Sequence, residues 1–194
     1  MNERLSAPET PISTHTQSPE TSHVSAVLDE LCATVEDYPA EGIVFKDLTP
    51  VFADGAAFKL MVDSIVTAFA GKFDAVAGIE ARGFLLAAAA AYATGTGVIT
   101  IRKAGKLPRE VFAESYALEY GQATLELHKE DVPAGTRVLI LDDVLATGGT
   151  IGAAVSLLER SGAIVTGVGV VLEIDGLPGR SNLAPHEVLS LQTV

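Results

Sequence analysis

VLILDDVLATGGT, running from Val138 to Thr150, carries the strongest structural signal in the chain. Its first four residues, Val138 to Leu141, are branched and apolar, the pattern of a strand buried on both faces of a parallel sheet. Two adjacent carboxylates, Asp142 and Asp143, follow where that strand is expected to end. Then come the small residues Ala146-Thr147-Gly148-Gly149-Thr150 and a helical pattern with Ile151, Ala154, Val155 and Leu158 on one face. Strand, acidic pair, glycine turn and helix together describe a phosphate cradle, because free backbone N–H groups and the positive end of a helix dipole favour an anion. The carboxylates are badly placed for the phosphate itself and well placed for the hydroxyls of a sugar that carries one. No GK[ST] follows the glycines, so this is not a Walker loop; the acids precede the glycines, so it is not a dinucleotide fingerprint. An ordinary acidic turn is the plain alternative, and the strand and helix flanking it in register argue against that.

On either side of this stretch the chain alternates strand and helix patterns. Ala75 to Ile79, Val98 to Ile101 and Ile164 to Leu172 read as further strands, with an alanine-rich helix at about Phe84 to Ala93 between the first two. Phe58, Met61, Val62, Ile65 and Phe69 mark a long amphipathic helix that ends near Gly71. Val27, Leu28, Leu31 and Val35 share one face of an earlier helix, and Gly42 to Asp47 reads as extended. The expected class is α/β, a twisted, mostly parallel sheet flanked by helices. Ligands of such sheets bind beyond the carboxyl ends of the strands. Those ends carry Glu80-Ala81-Arg82-Gly83, Arg102-Lys103, Asp142-Asp143 and Glu173-Ile174. From about residue 103 to 131 the alternation is interrupted by a long polar excursion, which reads as a flexible antiparallel flap over the site. His128, in the alternating segment Thr124 to His128, is expected to face solvent.

Composition limits the alternatives. The 194 residues are 48% hydrophobic and 20% charged, a globular balance, with a net charge of −12. Such an acidic chain is repelled by a nucleic acid backbone, so neither DNA nor RNA is an expected partner. A phosphate must be held by a few local cations and backbone amides. The single cysteine, Cys32, rules out an intramolecular disulfide and reads as core filling. The apolar run Phe84 to Ala93 is about half the length of a membrane span, and the N-terminal residues lack a secretory pattern. A soluble, cytoplasmic protein is expected, with no membrane partner. Residues 1–25, rich in Ser, Thr, Pro and Glu, read as a disordered tail, and 26–194 as one domain.

Five segments together resemble one family. GIVFKDLTPVF (Gly42 to Phe52), IEARGF (Ile79 to Phe84), IRKAGKLP (Ile101 to Pro108), SYALEYG (Ser115 to Gly121) and DDVLATGGT are similar to the adenine phosphoribosyltransferases, in that family's order. The last motif is shared by all type I phosphoribosyltransferases, which use 5-phosphoribosyl diphosphate (PRPP); VFKD and LEYG narrow the resemblance to adenine. The resemblance implies a type I phosphoribosyltransferase fold and purine salvage, in which adenine and PRPP give AMP and diphosphate. It implies Mg²⁺ bound mainly by substrate oxygens with no direct protein ligand, and a homodimer.

The resemblance also assigns residues. Asp142 and Asp143 take the ribose hydroxyls, and Ala146, Thr147, Gly148, Gly149 and Thr150 take the 5-phosphate. Ala81, Arg82, Arg102, Lys103 and Lys106 serve the diphosphate, with a non-proline cis peptide between Glu80 and Ala81. Val44, Phe45, Lys46 and Ile174 line the adenine pocket, where many relatives have Arg in place of Lys46. Glu119 is the flap carboxylate that manages the purine proton, and Tyr120 helps close the flap; Glu110 and Glu114 read as solvated acids. Glu119, Asp142, Asp143 and Arg82 form the expected catalytic set. Two other readings start from the same motifs: a relative that uses another base, or a PRPP sensor without turnover.

Overall fold

The structure is a computed structural model and describes residues 19–38, 40–117 and 121–194. In chain order the elements are helix α1 (Pro19–Leu31), strands β1 (Ala33–Val35) and β2 (Phe45–Asp47), and helices α2 (Thr49–Ala53) and α3 (Gly55–Ala68). Strand β3 (Ala75–Ile79), helix α4 (Gly83–Thr94), and strands β4 (Gly97–Lys103), β5 (Val111–Ala117) and β6 (Gln122–His128) follow. Strand β7 (Arg137–Leu145), helix α5 (Gly149–Arg160), strand β8 (Ile164–Glu173), helix α6 (Gly179–Asn182) and strand β9 (Val188–Thr193) complete the fold.

Among the described residues the main sheet has seven strands in the order β5-β6-β4-β3-β7-β8-β9. The pairs β3–β4, β3–β7, β7–β8 and β8–β9 are parallel, while β6 is antiparallel to both β4 and β5. This is the expected mostly parallel α/β sheet with an antiparallel extension in the flap region.

The sheet is buried on both faces. Along β7, Val138 and Ile140 point into the layer filled by Ile151, Ala154 and Leu158 of α5, while Leu139 and Leu141 point into the layer of α1, α3 and α4. That two-sided burial is why the strand reads as a continuous apolar run instead of alternating. The helix α4 lies directly on the sheet backbone. A Cβ on Gly83 would sit 2.6 Å from the Leu141 carbonyl oxygen, so only glycine permits this approach. Because Arg82 immediately precedes Gly83, this contact sets Arg82 beside the end of β7.

Four expectations need correction. Helix α1 starts at Pro19, not after Ser25, because Val24 extends the apolar stripe of Leu28 backwards and both are buried. The residues 19–25 are therefore part of the folded unit, and residues 1–18 lie outside the described region. At the other end α1 stops at Leu31, and Val35 belongs to β1, which pairs with β2 and sets Thr34 opposite Lys46. Strand β7 does not end before the acids but runs through them to Leu145, since the long β8 supplies partners as far as Glu173. His128 does not face solvent: it is 6% exposed, and the turn after β6 brings the Asp131 carboxylate to 3.4 Å from Nδ1.

Candidate active site

The carboxyl ends of β3, β4, β7 and β8 converge on one edge of the sheet, and the acid pair sits at its centre. Asp142 and Asp143 are both buried, and Asp142 Oδ1 accepts the Asp143 N–H at 3.0 Å. Burial, and then the negative charge of Asp143, push the Asp142 carboxyl well above the usual aspartate range. Arg82 Nε lies 2.7 Å from Asp143 Oδ2. The pair is close but poorly aligned, which leaves that buried oxygen without a hydrogen-bond partner. Arg82 follows a cis Glu80–Ala81 peptide, as the resemblance implied.

The glycine turn that follows the acids is built as a cradle. Residues 144–151 line a cavity of about 80 Å³ at the start of α5, where the first N–H groups of the helix have no acceptor within it. Gly148 has φ +84°, and a Cβ there would fall 2.9 Å from the Gly179 carbonyl oxygen. The flap reaches the same loop: a Cβ on Gly149 would lie 3.3 Å from the Ala117 carbonyl oxygen and 3.4 Å from Tyr116 Cδ2. Glu119 and Tyr120, the next residues assigned from sequence, lie outside the described residues. The root of the flap is tied to α5, where Arg160 Nη1 donates to Ala113 O at 2.9 Å and to Glu114 Oε2 at 2.8 Å.

The cations expected for diphosphate are gathered by Glu80, to which no sequence motif assigns a role. Glu80 Oε2 accepts from Arg102 Nε at 3.2 Å and from the Lys103 N–H at 3.1 Å, and Lys106 Nζ stands 3.9 Å from Oε1. Arg102 Nη1 also donates to the Lys106 carbonyl at 3.2 Å, folding the turn back on itself. Burial opposes ionisation of Glu80, but the Lys103 N–H and the Arg102 guanidinium more than offset it and hold its carboxyl below the usual range. Lys103 joins the cluster through its backbone, and its side chain is exposed. An acid at one strand end, level with two cations on the neighbouring strand, is the signal that could have exposed this arrangement.

On the other side of Arg82 lies the short β1–β2 sheet. The Arg82 guanidinium sits 5.8 Å from the Phe45 ring centroid, within cation–π range, and Tyr38 packs edge-on against the same ring at 5.2 Å. Lys46 Nζ donates to Thr34 Oγ1 at 2.9 Å. Val44 is exposed, and Ile174, half-buried just past β8, donates its N–H to Leu145 O at 2.9 Å. Arg82 therefore touches both the acid pair and the Phe45 ring, while Ile174 is tied to the end of β7.

Comparison with known proteins agrees with this arrangement. The family profile for the phosphoribosyl transferase domain matches residues 54–182. An adenine phosphoribosyltransferase from an Arthrobacter species is 70% identical over 168 residues, covering 87% of this chain and 91% of that protein. The chain belongs to the adenine phosphoribosyltransferase family. Solved structures of the family superpose on it. The adenine phosphoribosyltransferase of Thermoanaerobacter pseudethanolicus is 42% identical with a TM-score of 0.84, covering 87% of this chain and 99% of that one. The Saccharomyces cerevisiae enzyme, solved with adenine and an imino-altritol bisphosphate, is 38% identical with a TM-score of 0.82, covering 88% and 99%.

Proposed function

We propose that the chain transfers the 5-phosphoribosyl group of PRPP to adenine, giving AMP and diphosphate. The observation that carries this reading is a buried acid pair with Arg82 beside it, a phosphate-sized cradle and a cation cluster around Glu80, in a chain of the adenine phosphoribosyltransferase family. In the reaction a purine nitrogen forms a bond to the anomeric carbon. The C–O bond to diphosphate breaks, its electron pair leaves on the diphosphate oxygen, and a proton is lost from the purine. Positive charge develops on the sugar and negative charge on the leaving group, so positioning and electrostatics supply most of the acceleration.

In this reading the N–H groups and hydroxyls of Ala146 to Thr150 hold the 5-phosphate, and Asp142 and Asp143 accept from the ribose 2- and 3-hydroxyls. Two carboxylates forced together away from water disfavour their own charge, and a cation forming on the adjacent ribose relieves that repulsion. Arg82, Arg102, Lys103, Lys106 and the backbone of Ala81 receive the departing diphosphate. Phe45 and Ile174 cover the faces of adenine, the Val44 backbone reads its amine edge, and Lys46 lies alongside. Glu119 takes the proton; it follows Ala117 by two residues, and Ala117 already lies against the loop at Gly149. Tyr120 helps shut the flap.

Magnesium enters this reading with PRPP. Hard carboxylate oxygens suit the ion, yet Asp143 is already paired with Arg82, so the donor set fits an ion held mainly by diphosphate and ribose oxygens. When bound, it would neutralise charge on the leaving diphosphate. A homodimer is part of the same reading. Tyr92 on α4 is 92% exposed, Leu85 and Val98 are exposed as well, and β4 pairs with β6 only at Arg102 and Lys103, leaving the edge from Gly97 to Ile101 open. Exposed apolar surface next to an open strand edge suits association with a second copy. No helix among the described residues is long and apolar enough to cross a membrane.

The direct test is AMP formation from adenine, PRPP and Mg²⁺ by the purified protein. Steady turnover is the expected result; PRPP binding with no AMP would replace the reading with that of a sensor.

A further inference from the structure

We propose that Asn182, on the short helix α6, is a positioning residue that sets the peptide of the phosphate loop from behind. The proposal rests on the reading of Ala146 to Thr150 as the 5-phosphate site. Asn182 Nδ2 donates to the Thr147 carbonyl oxygen at 2.9 Å, across 35 residues of sequence. The Thr147–Gly148 peptide is trans, so its C=O and the following N–H point in opposite directions. Holding the Thr147 carbonyl on the α6 side therefore turns the Gly148 N–H to the other side of the loop. The loop cavity is lined by residues 144–151, and Asn182 is not among them. The hydrogen bond thus acts on the face away from the ligand and commits a donor to the face toward it.

The rest of α6 is shaped for this contact. A Cβ on Gly179 would lie 2.2 Å from the Ala146 carbonyl oxygen, so the α6 backbone rests directly on the loop. Arg180 anchors the segment: Nε donates to Glu173 Oε1 at 3.0 Å, Nη1 to Val188 O at 2.6 Å and Nη2 to Ser190 Oγ at 3.1 Å. Leu183 is buried in the core beneath. Loop, α6 and the ends of β8 and β9 form one braced unit, and Asn182 is its polar contact with the cradle.

The test compares ribose 5-phosphate and pyrophosphate binding to wild type, Asn182→Ala and Asn182→Asp by calorimetry, with melting temperatures as control. Loss of one hydrogen bond should weaken ribose 5-phosphate binding by Asn182→Ala about two- to tenfold. Asn182→Asp should weaken it more, since a carboxylate cannot donate and repels the carbonyl. Pyrophosphate affinity and melting temperature should stay at wild-type values in both. Equal ribose 5-phosphate binding by all three proteins, or a parallel loss of pyrophosphate affinity and stability, would overturn the proposal alone. A wild type that binds pyrophosphate but not ribose 5-phosphate would overturn the reading of the loop itself.

Discussion

Arg82 Nε stands 2.7 Å from Asp143 Oδ2 while the same guanidinium lies 5.8 Å from the centroid of the Phe45 ring. One side chain thus joins the acid pair at the end of β7 to the aromatic ring on β2. A lysine at this position keeps the charge but loses the planar fork and the stacking surface. Arg82→Lys should therefore raise the KM for both PRPP and adenine and lower kcat/KM by about 10- to 100-fold, a loss of roughly 1.4–2.8 kcal/mol in transition-state binding. Steady-state kinetics with each substrate varied in turn would show it; an effect confined to PRPP would separate Arg82 from the base side.

The ionised Asp142 carboxylate is unfavourable where the fold puts it. The carboxyl titrates above the ordinary aspartate value because burial, and then Asp143, disfavour the charge. Between the unfolded value near 3.9 and the raised folded value, the folded state holds a proton that the unfolded state has lost. Stability from this group accordingly falls as pH rises through that window and is flat below it. Asp142→Asn keeps an acceptor for the Asp143 N–H and removes the buried ionisable carboxyl. It should raise the melting temperature at neutral pH by roughly 2–4 °C for each kcal/mol gained, flatten that limb of the pH profile, and weaken PRPP binding. A variant that melts below wild type at neutral pH would contradict this account of the pair.

Glu80 fixes the Arg102–Lys106 turn. Glu80→Ala frees Arg102 and the Lys103 N–H, and two lost charge-assisted hydrogen bonds should raise the KM for PRPP by about tenfold or more. The KM for adenine should stay within about a factor of two, a negligible 0.4 kcal/mol. Initial rates at saturating adenine, then at saturating PRPP, separate the two constants.

Glu119 is assigned from sequence to the proton on the purine. Glu119→Gln should lower turnover by about 10²- to 10⁴-fold, the usual contribution of a positioned acid or base. PRPP affinity, measured by calorimetry without adenine, should hardly change. Unaltered kcat would remove Glu119 from the chemistry.

What the sequence made legible follows the range of the interactions involved. The cradle was readable because strand, acids, glycines and helix are contiguous, and each leaves a local signature between Val138 and Leu158. The end of β7 was misjudged because a strand stops where its partner stops, and the reach of β8 to Glu173 is a tertiary fact. His128 was placed in solvent by an alternating pattern that cannot register a turn folding Asp131 over the ring. Glu80 with Arg102 and Asn182 with Thr147 are separated by 22 and 35 residues, and no local pattern joins such pairs. The Lys46–Thr34 contact likewise depends on β1, which had been read as the last turn of α1.

Base selectivity separates an adenine enzyme from a relative that uses another base. Pyrophosphate release should be followed with PRPP and Mg²⁺ against adenine, hypoxanthine, guanine, xanthine and orotate, under identical conditions. Turnover is expected with adenine, and a kcat/KM at least about a hundredfold lower for each other base, the discrimination that follows when about 2.7 kcal/mol of edge contacts are lost. An inert adenine alongside a reactive second base would contradict it and would reassign the pocket formed by Val44, Phe45, Lys46 and Ile174.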